Sequence, residues 1–190
     1  MVVYCNHARY KERLGGETMR QFIALEVSER DRITSFVDKY KHLVPRATWT
    51  PEDKLHITLR FFTSPRPADE IQHLMDDAAR DTAPFQMHLN GMNTFGNRVL
   101  YAVPAPVVEL VNLGRKVGTK SFRPHVTLAK LEERNDTAPE FSELVQQHGV
   151  LCLGVMQANT ITLYRTQGSG KPYEALYSAT LHGEPEPVYF

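Results

Sequence analysis

Two five-residue stretches hold the residues best suited to chemistry, Leu55-His56-Ile57-Thr58-Leu59 and Pro124-His125-Val126-Thr127-Leu128. Both read histidine, apolar, threonine, leucine, and 69 positions separate His56 from His125. An unperturbed imidazole titrates near pH 6.5, so one ring of a pair can start neutral and accept a proton while the other, charged, donates one. A threonine hydroxyl two residues on can donate to oxygens on which negative charge gathers. From the chain's composition, about 0.26 His-x-Thr-apolar matches are expected by chance, so two copies occur in about three chains per hundred. The pair is therefore read as functional.

Such groups need a rigid mount, and strand alternation supplies one. In an extended strand every second side chain shares a face, so His56, Thr58 and Arg60 are expected on one side. Leu55, Ile57, Leu59 and Phe61 form a core-facing row on the other. His125 and Thr127 likewise share a face, with Val126 and Leu128 behind them, and Lys130 alternates away from His125. Tyr173 and Phe62 sit at strand ends where an aromatic ring can stack on a base.

The elements around these strands follow a repeated order. Phe22 to Val27 reads as a buried strand, and Ser28-Glu29-Arg30-Asp31 resembles a capping box before a helix with Ile33, Phe36, Val37, Tyr40 and Val44 on its stripe. The first histidine strand follows, then a helix bearing Ile71, Leu74, Met75 and Ala78, then a strand from Phe85. The second half repeats this order: a strand over 98–103, a helix with Leu110, Val111 and Val117, and the second histidine strand. A helix from Pro139 to Gly149, one long strand over 150–166 and a last strand over 173–182 complete it. Two β-α-β-α-β units, roughly 20–96 and 97–182, predict an α+β fold of two pseudo-symmetric lobes. Antiparallel sheets would flank a central cleft, with helices outside. Residues 1–18 read as a flexible extension and 183–190 as a flexible tail.

Composition narrows the function classes. In this chain of 190 residues, 22 Lys and Arg balance 22 Asp and Glu, so no field recruits nucleic acid over the whole surface and any RNA contact is local. Cys5 and Cys152 stand apart from any CxxC or Cys/His cluster, which argues against a disulfide framework or a structural zinc site. Cys152 reads as a buried small hydrophobe. No apolar run is long enough to span a membrane, and a cytoplasmic enzyme is the default expectation.

The paired His-x-Thr strands on a duplicated α/β unit resemble the 2H phosphoesterase superfamily, and within it the RNA 2′,3′-cyclic phosphodiesterases, also called 2′-5′ RNA ligase or LigT-like proteins. The resemblance runs over most of 19–182. It includes Met19-Arg20-Gln21-Phe22-Ile23-Ala24-Leu25, Leu55 to Phe61, Arg123 to Lys130, Leu163-Tyr164-Arg165 and Tyr173-Glu174. Phe62-Thr63 stands where the family often has Leu-Gly, and Lys130 where arginine is common. The resemblance implies hydrolysis of 2′,3′-cyclic phosphodiesters to the 2′-phosphate and leaves reverse 2′-5′ ligation open; a monomer without metal or other cofactor is expected. His56 is expected as acid and His125 as base, with Thr58, Thr127, Arg60 and Lys130 on the phosphate. RNA ends or small cyclic nucleotides are the expected partners. Two alternatives stay open: a non-catalytic module binding nucleotides or RNA ends in the same cleft, and a metal hydrolase built on the histidine pair.

Overall fold

Apolar alternation and amphipathic stretches set up strands and helices that share one core face, and the result is a mixed α+β fold with antiparallel sheet pairing. The computed structural model describes residues 13–14, 17–105, 108–133, 136–168 and 170–184. The expected tail beyond residue 184, and residues 1–12 and 15–16 of the expected extension, lie outside these. Within that extension, β1 (Arg13–Leu14) pairs with β2 (Glu17–Thr18).

The first half then runs β3 (Gln21–Glu26), α1 (Asp31–Tyr40), β4 (Thr48–Trp49), β5 (His56–Phe62), α2 (Ala68–Arg80) and β6 (Phe85–Phe95). The second runs β7 (Val99–Pro104), α3 (Val108–Lys116), β8 (Val126–Lys130) and α4 (Pro139–His148). Strands β9 (Cys152–Ala158), β10 (Thr160–Arg165) and β11 (Glu174–Thr180) finish the chain. Pro139 opens α4, where its missing N–H costs nothing. The capping box expected at Ser28 does not form. Ser28 Oγ instead accepts from the Gln157 amide at 3.3 Å, and Arg30 Nε donates to the Val27 carbonyl at 2.7 Å.

The strand order is β11-β10-β3-β5 in one lobe and β8-β7-β6-β9 in the other. Between β5 and β8 the ladder is a single antiparallel pair, Ile57 with Val126. Both side chains are fully buried, each contributing about 1.5–3 kcal/mol by leaving water. Helix α2 packs on β10 and β11, and α3 on α2 and β5, whereas α1 covers β9 and α4 covers β6. The chain thus exchanges elements between lobes. Helix α1 follows a strand of the first lobe and packs on the second, and α3 does the reverse.

Two expectations change here. The long strand expected over 150–166 breaks at Asn159 into β9, which pairs with β6, and β10, which pairs with β3. Both pieces are apolar because both are covered by core, so their composition is continuous while their sheet is not. In consequence the spatial lobes differ from the sequential halves. Strand β6 of the first half joins the second lobe, and β10 and β11 of the second half join the first.

Candidate active site

The Ile57–Val126 pair decides how the two motifs meet. Antiparallel register one step to either side sets His56 beside Thr127 and Thr58 beside His125. Ile57 and Val126 point into the core, so all four polar side chains lie on the opposite, cleft-facing side.

Each ring is held in the same way. His56 Nδ1 lies 2.7 Å from the Lys54 carbonyl, and His125 Nδ1 lies 2.7 Å from the Arg123 carbonyl. A carbonyl only accepts, so Nδ1 carries the proton in both rings, and Nε2 is the atom left to exchange one. The Thr58 hydroxyl donates to Nε2 of neutral His56 at 3.0 Å.

Both strands carry a β-bulge at the leucine after the threonine. Ala24 pairs with Thr58 but Ile23 pairs with Arg60, leaving Leu59 as the extra residue. Tyr101 pairs with Thr127 but Leu100 pairs with Ala129, leaving Leu128 extra. An extra residue reverses the facing of everything after it. The strict alternation expected from the sequence is therefore corrected beyond each threonine.

Arg60 leaves the His56 face. Its guanidinium donates to the Val117 carbonyl at 2.6 Å and lies 4.8 Å over the Phe62 ring. Burial, then the charge of Arg66, lowers its pKa. Phe62 is 8% exposed and part of the core, so it is not free to stack on a base as expected, and the ring on the exposed side is Phe61 instead. Phe61, expected in the core row, is 58% exposed and packs 5.4 Å from the Phe22 ring. Lys130 moves the other way, onto the cleft side, where it pairs with Glu132 at 3.1 Å.

Tyr173 reaches the site. Its ring meets His56 edge-on at 5.7 Å and Phe22 at 5.1 Å, and Lys54 Nζ lies 5.3 Å above it. Burial, then the Asp53 charge, raises its pKa. Tyr164 and Phe22 complete an aromatic floor under His56. Glu26 pairs with His56 in the ladder and accepts from the Tyr164 hydroxyl. Burial lowers the His56 pKa most. The Lys54 carbonyl opposes that, His125 adds to it, and Glu26 opposes it.

Sequence reasoning missed the second lobe's aromatic wall. Phe95 and Tyr101 stack at 4.1 Å and meet His125 at 5.2 and 5.5 Å. The β6–β7 hairpin brings them together, a pairing with no local signal at either residue. Arg123 was also missed as a site residue. With Thr58, Arg60, Phe61, Thr119, Phe122 and His125 it lines a groove of about 500 Å³. Cys152 is half-buried rather than buried. Among the described residues no three histidine, cysteine or carboxylate side chains gather to hold a metal, and no helix is long and apolar enough to cross a membrane.

The same fold is found in solved structures. A protein of Thermus thermophilus aligns with a TM-score of 0.67 at 25% identity, over 87% of this chain and 100% of that one. LigT of E. coli, complexed with 3′-AMP, aligns with a TM-score of 0.65 at 23% identity, over 87% and 99%. In sequence, an RNA 2′,3′-cyclic phosphodiesterase of Geobacillus stearothermophilus is 28% identical over 185 residues, 87% of this chain. The chain spans 58% of the length of that relative. The model of the 2′-5′ RNA ligase superfamily matches residues 29–170, from the start of the first helix to the loop before the last strand, and takes in both histidine strands. By that match the chain belongs to the 2′-5′ RNA ligase superfamily.

Proposed function

We propose that the chain opens 2′,3′-cyclic phosphodiesters, at RNA ends or in small nucleotides, to the 2′-phosphate. One observation carries this reading: two imidazoles with tethered Nδ1 atoms, one at the start of β5 and one immediately before β8, flank the Ile57–Val126 pair, each beside the other's threonine. Water attacks phosphorus while one Nε2 takes its proton. The P–O3′ bond breaks as the other ring's Nε2–H protonates O3′. A 5′-hydroxyl in place of water makes a 2′-5′ link by the same step. Thr58 and Thr127 donate to the non-bridging oxygens.

Burial favours neutral His56, the form a base needs. The acid role expected for His56 therefore depends on the substrate's anionic phosphate restoring its proton. The exposed Phe61 and the groove it lines suit a nucleobase, with Arg123 also lining that groove and Tyr173 beside His56. Lys130 suits a backbone phosphate farther along an RNA, and the complex of E. coli LigT with 3′-AMP supports a nucleotide-sized ligand. All these groups come from one chain, so a monomer suffices.

The test is incubation with a nucleoside 2′,3′-cyclic phosphate, with and without chelator, and chromatographic assignment of the product. The 2′-phosphate is expected at equal rates in both. Turnover lost in chelator and restored by zinc or manganese would overturn the mechanism, and binding without turnover would make the chain a nucleotide-binding module.

A further inference from the structure

The bulges create a need as well as a change of face. An extra residue in a strand loses its ladder partner, and its carbonyl must be satisfied from elsewhere. Thr119 Oγ1 donates to the Leu59 carbonyl at 2.6 Å, and the Thr50 amide donates to the Leu128 carbonyl at 2.8 Å. Thr50 and Thr119 each stand six residues before a motif histidine, His56 and His125, and they are related by the same 69-residue offset. The segment leading into each histidine is thus anchored on the other motif's bulge.

The anchor before His125 is the stronger of the two. Helix α3 ends at Lys116, and Gly118 turns the chain with φ +87°, a conformation that side chains with a Cβ rarely adopt. Arg60 Nη1 donates to the Val117 carbonyl at this helix end, where a cation complements the dipole. A Cβ on Gly118 would lie 2.6 Å from that Nη1. Arg60 and Thr119 therefore clamp the start of the 119–125 segment onto β5, next to Thr58. The equivalent of Arg60 in the second lobe is Ala129, which has no side-chain donor to offer.

We propose that Arg60 and Thr119 are positioning residues that set the placement of His125 relative to His56 through this clamp. Arg60 acts on the segment leading to His125 and takes no phosphate. The kinetic part of the test rests on the cyclic phosphodiesterase reading, and the spectroscopic part does not.

Thr119→Val and Arg60→Met remove the donors at little change in volume, and Thr119→Ser and Arg60→Lys keep one. Imidazole resonances are followed by NMR in the unliganded protein, and kcat and KM are measured on a nucleoside 2′,3′-cyclic phosphate. Both donor-less variants should shift the His125 ring resonances and leave those of His56 nearly in place. Both should lower kcat by about 10- to 100-fold, the scale of an ångström-level misplacement, with KM within about twofold. The double variant should be little worse than either single, and Ser and Lys should restore most of the loss. A rise in KM with kcat intact would make Arg60 a phosphate ligand and overturn the clamp. Unmoved His125 resonances would overturn it as well, whether or not the protein turns over cyclic phosphates.

Discussion

The stretch from His56 along β5 and the stretch from His125 into β8 share nearly everything that backbone geometry can copy. Each tethers Nδ1 to the carbonyl two residues back, each bulges at the following leucine, and each bulge is met by a threonine from the segment before the other histidine. What surrounds them differs. His56 rests on Phe22 with Tyr173 edge-on, and Glu26 is its ladder neighbour. His125 stands against the Phe95–Tyr101 stack. At equivalent positions past the bulges, the first strand presents an aromatic ring, Phe61, and the second a cation, Lys130. The two motifs thus share a symmetric backbone setting, the one that the proposed phosphate site uses. The packing around the rings is not duplicated, and it is the difference on which the proposed division of acid and base rests.

The strongest way to break this comparison is to remove each ring. His56→Ala and His125→Ala should each lower kcat by on the order of 10²- to 10⁴-fold. The double variant should lose far less than the product, because the two act in one coupled transfer. A phosphodiester with a nitrophenol leaving group needs no acid, so it should rescue one single variant and not the other. Equal rescue of both, or near wild-type turnover by either variant, would mean that the rings do not divide acid and base.

The positions past the bulges sharpen the contrast at smaller scale. Phe61→Leu should raise KM for nucleoside cyclic phosphates by about tenfold, the scale of one lost base–aromatic stack, and leave a base-free cyclic phosphate unchanged. Lys130→Gln should act on RNA alone, reducing the salt dependence of log Kd by about 0.7 for one lost single-strand phosphate contact. If both variants impair the base-free substrate equally, the two ends of the cleft are not specialised.

The smallest expected effect is electrostatic. The Glu26 carboxylate favours charged His56, so Glu26→Gln should lower the His56 pKa further. The sign follows directly: losing an anion disfavours the imidazolium, and the limb of the pH profile that belongs to His56 should move to lower pH. Histidine NMR titration and kcat/KM against pH both read it. Movement upward would show that Glu26 acts on His56 by another route than its charge.

Much of the site is legible in the sequence because its chemistry is local. Two side chains on one strand face need only a period of two, so His56 with Thr58 and His125 with Thr127 follow from spacing alone. The helices are equally plain, since Ile33 with Phe36 and Ile71 with Met75 repeat at helical intervals. The tail of each motif misleads. Arg60, Phe61, Phe62 and Lys130 all sit past a bulge, and a bulge is a relation between two strands. Nothing in Thr58-Leu59-Arg60 differs from an unbroken alternation. Only the pairing of Ile23 with Arg60 and Ala24 with Thr58 reveals the extra residue.

The sequence by itself determined which groups can move protons and which elements carry them, because residue type and period are properties of short segments. The tertiary structure alone decided which strands pair, where β9 gives way to β10 in another sheet, and which aromatic rings enclose each histidine. Those outcomes depend on contacts between residues far apart in the chain, and apolar composition is satisfied by burial against any covered sheet.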